Sequence, residues 1–572
     1  MLAPMATTSN TPALAEGAAA KGSGLVLATL AVGQFLMALD SSVMNVSIAY
    51  VANDLGTTVT GVQTAITMYT LVMATLMITG GKVGAMIGRR RAFAIGCLVY
   101  GAGSLTTAVA PNLPVLLFGW SFLEGVGAAL IMPAIVALVA GNFPPQGRAR
   151  AYGLITAAGA MAVAVGPLIG GALTTYASWR WVFAGEVVIV LGILGLSRKI
   201  ADAPVERRPH LDIVGVVLTI AGLGALVYGV LMTGTWGWIT PKPDAPALLG
   251  LSLSLWLIFG GLLVSWLFVL WEHRRKRLGK EPLVDLRLFE NRQLRGGLVM
   301  FFFQYMVQLG TFFVIPLFLS VVLELSAVAT GVRLLPLSIA LLIAAGGIPR
   351  IWPAASPRRV VRVGLLLMFL GIMVLVAGLD PGANAGVVAI PLFLLGLGIG
   401  ALASQLGAVT VSAVPDEQSS DVGGLQNTAL NLGSSLGTAL IGSVLIASLT
   451  SAFLSTVMTS SEVPQSVKDQ ATVQLASGAP FISETQLRAG LEETDLSQAA
   501  VQDIVDANAS AQLSALRTSL SVAAGLSVVA LFFTGRIPTR PPGRKEGAGD
   551  DGEDEVPDEA APPESGAAQA KA

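Results

Sequence analysis

Stretches of roughly 20 mainly apolar residues recur along almost the whole chain, and each is long enough to cross a bilayer as a helix. Fourteen candidates can be drawn: 25–50, 61–80, 92–110, 114–140, 151–175, 180–197, 212–232, 248–271, 296–323, 329–347, 363–379, 386–412, 429–450 and 516–535. Composition agrees. Of 572 residues 53 % are hydrophobic and 12 % charged, with mean hydropathy +0.73, where a soluble domain carries about 25 % charged residues. So little charge cannot cover a water-facing surface. An ordinary cytoplasmic enzyme, a nucleic-acid binder and a disordered chain are excluded. A single cysteine, Cys97, rules out a disulfide framework and a thiolate metal site, and two histidines, His210 and His273, rule out a histidine-rich centre. There is no Gly-x4-Gly-Lys-Ser/Thr phosphate loop. No enzyme, cofactor or metal is expected.

Charge placement sets the orientation. If the N-terminus is cytoplasmic, 28 of the 34 basic residues fall in cytoplasmic segments, among them Lys21, Lys82, Arg89–Arg91, Arg148, Arg150, Arg207 and Arg208. This asymmetry is the positive-inside pattern, and it puts both termini in the cytoplasm, which requires an even number of spans. The acids are equally uneven: 17 of 35 lie in the segment 451–515 and in the tail. The organisation expected is a cytoplasmic N-terminal tail (1–24), a six-helix half (25–198), a central two-helix insert (199–295) and a second six-helix half (296–535). Within the second half, 451–515 forms an external loop with short surface helices. An acidic tail (536–572) should be disordered.

Against so apolar a background, the few polar residues inside the spans carry the information. The link after the second span reads Gly81-Lys82-Val83-Gly84-Ala85-Met86-Ile87-Gly88-Arg89-Arg90-Arg91, a glycine-spaced turn closed by a basic cluster. The first span carries Asp40 within Leu39-Asp40-Ser41-Ser42-Val43-Met44-Asn45, and the fourth carries Glu124 at similar depth. A carboxyl at mid-membrane costs about 2.5–3.5 kcal/mol and must face water or a partner. There, burial favours its neutral form, so it can exchange a proton near neutral pH. Gly159, Gly166, Pro167, Gly170 and Gly171 in the fifth span give a close-packing face with a kink. Glu186 follows Trp179-Arg180-Trp181 in the sixth span and could pair with Arg180.

Together these segments resemble the fourteen-helix drug:proton antiporters of the major facilitator superfamily, over about residues 25–540. The fifth-span motif matches without departure, whereas Ala85, Met86, Ser121 and Glu124 stand where the family has other residues. The resemblance implies an all-α polytopic membrane protein with two six-helix halves, a central helical hairpin and a site at their shared cavity. It implies a coupling role for Asp40, to which the residues themselves add the membrane acids Glu124 and Glu186 as proton-coupling candidates, and a gate and motif set of Gly81, Gly84, Gly88, Arg89, Arg90, Gly166, Pro167, Gly170, Gly171 and Arg333. A substrate cavity lined by Gln34, Asn45, Gln304, Tyr305, Gln308, Gln405, Gln426, Asn427 and Asn431 would suit an amphipathic organic compound. The function expected is proton-coupled export of such compounds from a bacterium, by a monomer in the inner membrane whose partners are lipid, substrate and protons. A lipid or glycolipid exporter of the same fold and a transport-inactive sensor or assembly protein stay open as alternatives.

Overall fold

In a bilayer, backbone N–H and C=O groups have no water to bind, so each apolar segment must satisfy them internally as a helix. The computed structural model describes residues 12–143, 145–202, 211–243, 245–380, 385–414, 419–461, 463–475, 478–492, 494 and 496–540. The first half comprises α1 (Pro12–Asp54), α2 (Val59–Ile87), α3 (Arg89–Ala108), α4 (Leu113–Val139), α5 (Pro145–Tyr176) and α6 (Arg180–Ser197). A hairpin of α7 (Ile213–Trp236) and α8 (Leu253–Arg277) follows. The second half comprises α9 (Arg292–Val322), α10 (Ala327–Ile351), α11 (Pro357–Gly378), α12 (Gly386–Val411) and α13 (Ser419–Thr459). Two short helices, α14 (Gln465–Gln474) and α15 (Glu484–Glu492), precede the last, α16 (Gln498–Phe533). A two-residue antiparallel ladder, Ala247–Leu248 with Leu251–Ser252, interrupts the all-helical pattern between α7 and α8.

Thirteen of these helices are long and apolar enough to cross a membrane. The expected fourteenth is α3, the segment predicted at 92–110. It is helical but less apolar, because it opens on Arg89–Arg91 and also carries the polar groups of Tyr100, Ser104 and Thr107 on one buried face.

The two halves repeat one packing scheme that the sequence did not reveal. In the first, α1 packs on α5, α2 on α4 and α3 on α6; in the second, α9 packs on α13, α10 on α12 and α11 on α16. The halves meet through α2 with α13 and α5 with α10, which are equivalent pairs under the same repeat. Glycine permits the closest approaches in both. A Cβ on Gly170 would stand 2.7 Å from Val43 Cγ1, and one on Gly166 2.5 Å from Ser42 Oγ. In the second half, Gly433 and Gly437 lie directly on the carbonyls of Phe302 and Met306.

The two ends of the molecule differ. At the end carrying Lys82 and Arg89–Arg91, the segment after α8 wedges between the halves. There Val284 and Leu288 pack with Ile78 of α2 and with Val422 and Leu425 of α13, and the Lys82 ammonium donates to the Pro282 carbonyl. Glu272 of α8 holds this wedge by accepting the Val284 N–H at 3.3 Å. At the opposite end α14, α15 and the extensions of α13 and α16 build a cap with its own small apolar core of Val457, Val463, Ile504 and Ala507.

Several boundaries differ from expectation. The chain is helical from Pro12, so the helix runs back through much of the expected tail 1–24, while its apolar span begins at Gly24. The glycine-spaced turn shrinks to one residue: α2 continues to Ile87, Gly81 and Gly84 are helical, and only Gly88 turns, at φ +102°. The last span begins at Gln498 and not at 516, so Val501, Ile504, Val505 and Leu513 belong to one long helix. Residues 203–210, with Arg207, Arg208 and His210, and the acidic tail beyond 540 lie outside the described residues, as do the side chains of Lys21, Arg148 and Arg150.

Candidate functional site

The acids expected to face a shared central cavity are instead gathered inside the first half. Asp40 of α1, Glu124 of α4 and Glu186 of α6 each bring one carboxylate oxygen within 4.8 Å of the other two. They are 0 %, 0 % and 1 % exposed. None takes part in any ion pair among the described residues. Arg180, the alternative partner for Glu186, pairs with Asp54 instead and donates to the Ala110 carbonyl at 2.7 Å.

Neutral donors surround the cluster. Trp120 Nε1 donates to both Asp40 oxygens, at 2.8 and 3.0 Å. Its ring stacks on Tyr69 with centroids 5.0 Å apart and planes 9° from parallel. Ser104 Oγ and Tyr100 Oη donate to Glu186 Oε2 at 3.0 and 3.4 Å, and Thr107 Oγ1 donates to Glu124 Oε1 at 3.3 Å. Glu124 Oε2, Glu186 Oε1 and Tyr69 Oη accept nothing from the protein. A wide helical turn over Leu117–Glu124, with i→i+5 bonding, presents Trp120 and Glu124 to the cluster. Such π-turns recur at functional sites because they re-aim side chains within an otherwise regular helix.

Sequence reasoning found the acids but missed Tyr69, Tyr100, Ser104, Thr107 and Trp120. A signal existed for three of them. Tyr100, Ser104 and Thr107 stand at i, i+4 and i+7 on α3, a polar stripe on a helix that has no other reason to carry one. The π-turn left no signal.

Chemically, three buried carboxyls with neutral donors can bind and release protons. Their spacing could also hold a hard cation, but the one oxygen that each carboxylate brings to the cluster gives three ligands, against the six to eight oxygens calcium takes. The expectation of no metal centre rested on cysteine and histidine and did not weigh a carboxylate cluster.

A second feature lies between the halves, on the other side of α1. A cavity of about 30 Å³ is lined by Ser42, Asn45, Val46, Val163, Pro167, Phe312, Pro316, Leu334, Leu337 and Ser338. Of the predicted cavity set only Asn45 lines it; its amide donates to the Ser41 carbonyl at 2.7 Å and its Oδ1 is unpartnered. Gln308 sits one turn before Phe312, and Gln304 one turn earlier again. Both are buried with unpartnered Oε1 atoms, and Tyr305 beside them is half-buried. Gln34 lies against Gly159. The others turn to their own surroundings: Gln405 donates to Ser404, Gln426 to Thr410, Asn427 to the Gly423 carbonyl and Asn431 to the Asn427 carbonyl.

The motif glycines do structural work in two directions. Gly166 and Gly170 face α1, while Gly171 lies on the Ala327 carbonyl of α10, and Gly331 of α10 lies on the Pro167 carbonyl. At the basic end, the acid that Ala85 fails to supply comes from elsewhere. The Asp202 carboxylate accepts the Arg90 backbone N–H at 3.2 Å, and the Arg90 guanidinium reaches the Ile200 carbonyl at 3.4 Å. Arg333 is exposed on α10 and makes no ion pair among the described residues.

Two repeated helical halves closing on a small cavity, with a cluster of buried acids inside the first half, have the architecture of a membrane transporter. The sequence profile of the Major Facilitator Superfamily matches residues 30–212 and 203–438, and the chain belongs to that family. Among its relatives, the puromycin resistance protein pur8 of Streptomyces alboniger is 32 % identical over 424 residues, 73 % of this chain and 81 % of that one. The tetracenomycin C resistance and export protein of Streptomyces glaucescens is 30 % identical, covering 74 % of this chain and 76 % of that one. Among solved structures, a bacterial homologue of the human lysosomal transporter Spinster superposes with a TM-score of 0.55 at 14 % identity, covering 90 % of this chain and 97 % of that one. By name these relatives confer resistance to puromycin, to tetracenomycin C and to multiple drugs; this chain, a member of the same family, is a membrane transporter and not an enzyme.

Proposed function

We propose that the protein is a proton-driven antiporter that exports amphipathic, cationic or lipophilic small molecules across the inner membrane of a bacterium. In this reading α3 is the fourteenth span, both termini are cytoplasmic, the basic end faces the cytoplasm and the working unit is a monomer. One observation carries the coupling: three buried carboxyls within 4.8 Å of one another, with no cationic side chain paired to any of them among the described residues. Two full charges at that distance repel by roughly 3–4 kcal/mol even at an effective dielectric constant of 20, and a third charge adds two more such terms. Desolvation adds to the penalty. The cluster therefore holds protons in this closed arrangement and releases them only when water or a charge reaches it.

The geometry gives that event a mechanical outlet. Asp40 lies on one side of α1, and Ser42, Asn45 and Val46 line the inter-half cavity on another. Ser42 and Val43 in turn bear on the glycines of α5. A change of charge at Asp40 alters the seating of α1 in its half, and α1 transmits it to the α5 track and the cavity. Protons and substrate thus meet the same helix from opposite sides without sharing a pocket.

Reconstitution tests this. Puromycin and ethidium in proteoliposomes should move against their gradients when an inward proton gradient is imposed, and Asp40→Asn, Glu124→Gln and Glu186→Gln should abolish that movement. Drug flux indifferent to the proton gradient would overturn the coupling. Movement of labelled phospholipid in place of drug would favour lipid export.

A further inference from the structure

The cap contains a cavity that the transport cycle above does not use. Its volume is about 230 Å³, and its walls are mainly apolar: Phe453, Val457, Val467, Leu487, Leu491 and Ile504. It also has a polar handle. Asn508, 7 % exposed, lines it and makes no side-chain hydrogen bond among the described residues.

Its position is informative. A second, wider cavity of about 550 Å³ lies over the seam between the halves, where the end of α1 and the start of α2 (Tyr50, Asn53, Thr57) face the end of α9 and the turn after it (Ser320, Glu324). The chain from Pro480 to Gln486 roofs it, and Pro480 and Ile482 belong to both cavities. The roof is anchored on each side. Gln512 Nε2 donates to the Ile482 carbonyl at 2.6 Å, while the Thr485 N–H and hydroxyl donate to Glu324 at 3.0 and 2.7 Å. Anything leaving between the halves at this end passes under the roof, and the apolar cavity is the adjoining room.

We propose that this cavity is an exit subsite that takes the apolar moiety of the exported compound while its polar part stays in the wider vestibule. The proposal rests on the export reading. The dimensions suit an amphipath: an apolar cavity of about 150 Å³ is enough for a benzene ring, so 230 Å³ holds a ring system or a short alkyl group. Burying such a group in a preformed pocket needs no rearrangement of the transport halves.

Thiol protection tests the proposal, because the chain has one cysteine and it is buried. Ala471→Cys, in the cavity wall, and Ala499→Cys, on the exposed outside of the cap, are prepared in the full-length protein in lipid nanodiscs. N-ethylmaleimide labelling is then followed with puromycin or the neutral fluorophore 1-N-phenylnaphthylamine as the probe. A probe at about ten times its dissociation constant should slow labelling at residue 471 roughly tenfold and leave residue 499 unchanged. Leu491→Cys serves as a second wall position should the first variant fold poorly. Unchanged labelling at both wall positions, or equal slowing at 499, overturns the subsite. Repeating the measurement with Asp40→Asn separates the two claims. Protection that persists while proton-driven efflux is lost supports both, and protection with efflux indifferent to the proton gradient keeps the subsite and discards the coupling.

Discussion

The two halves of this transporter share one helix-packing scheme yet differ almost completely in chemistry. The first buries three carboxyls between α1, α4 and α6; at the corresponding depth the second offers the amides Gln304 and Gln308 and the aromatics Tyr305 and Phe312. The repeated glycine contacts, Gly166 and Gly170 on α1 against Gly433 and Gly437 on α9, show that the shared part is mechanical. A repeat can therefore keep its packing while one copy specialises in charge and the other in recognition. Packing is constrained by volume at every contact, whereas charge in a low-dielectric interior is costly and is retained only where it is used.

The largest effects should come from breaking this division on the charged side. Glu124→Gln or Glu186→Gln should lower proton-driven efflux at least tenfold, or about 1.4 kcal/mol in the driving step. Gln304→Leu and Gln308→Leu should instead change which drugs are exported and leave the response to the proton gradient intact. Drug-by-drug efflux with and without a collapsed pH gradient reads both. A coupling defect in the amide variants would erase the comparison.

Next in size are the glycines. Gly170→Val and Gly437→Val each push a side chain into a neighbouring helix, and overpacking of this kind costs about 1–3 kcal/mol. Thermal unfolding of the purified variants should show similar losses in the two halves if the mechanical repeat is real. Trp120→Phe comes third. It removes the N–H that Asp40 accepts, and a hydrogen bond to a neutral carboxyl contributes about 0.5–1.5 kcal/mol. The pH profile of efflux should shift while drug binding at fixed pH holds.

The smallest effect lies at the cap. Backbone donation from Thr485 holds the Glu324 carboxyl below the usual carboxylate range, against some desolvation, with the Thr485 and Ser483 hydroxyls adding to the lowering. A depressed value means the contact stabilises the roof above the ordinary glutamate range and fades as pH falls through the lowered one. Protection of the amides of residues 483–487 against hydrogen exchange, relative to their intrinsic rates, should fall on acidification, and Glu324→Gln should remove that dependence.

How much of this was legible in the sequence follows from the physics of each feature. The spans were readable because a bilayer demands long apolar runs, and the segment 92–110 was read among them; the polar stripe of α3 that serves the acids was not read. Asp40, Glu124 and Glu186 stood out because mid-membrane acids are rare. That they converge inside one half depends on how α1, α4 and α6 pack, which no local pattern encodes. Asp202, which caps α3 in place of the acid missing at Ala85, lies 112 residues from Arg90 and gave no signal. The surroundings of the amides were not legible, because a membrane amide can bond within its own helix or to a neighbour: Gln405, Asn427 and Asn431 donate within their own helices and Gln426 donates across to Thr410 of α12.

The most direct test of the central claim, that the coupling protons reside on the first half's acids, is proton release on drug binding. Purified protein in weakly buffered detergent solution would be titrated with puromycin while the pH is recorded. The account predicts at least about one proton released per drug bound by the wild-type protein and by Gln304→Leu/Gln308→Leu, and none by Asp40→Asn/Glu124→Gln/Glu186→Gln, provided it still binds drug. Undiminished proton release from that triple variant would contradict it.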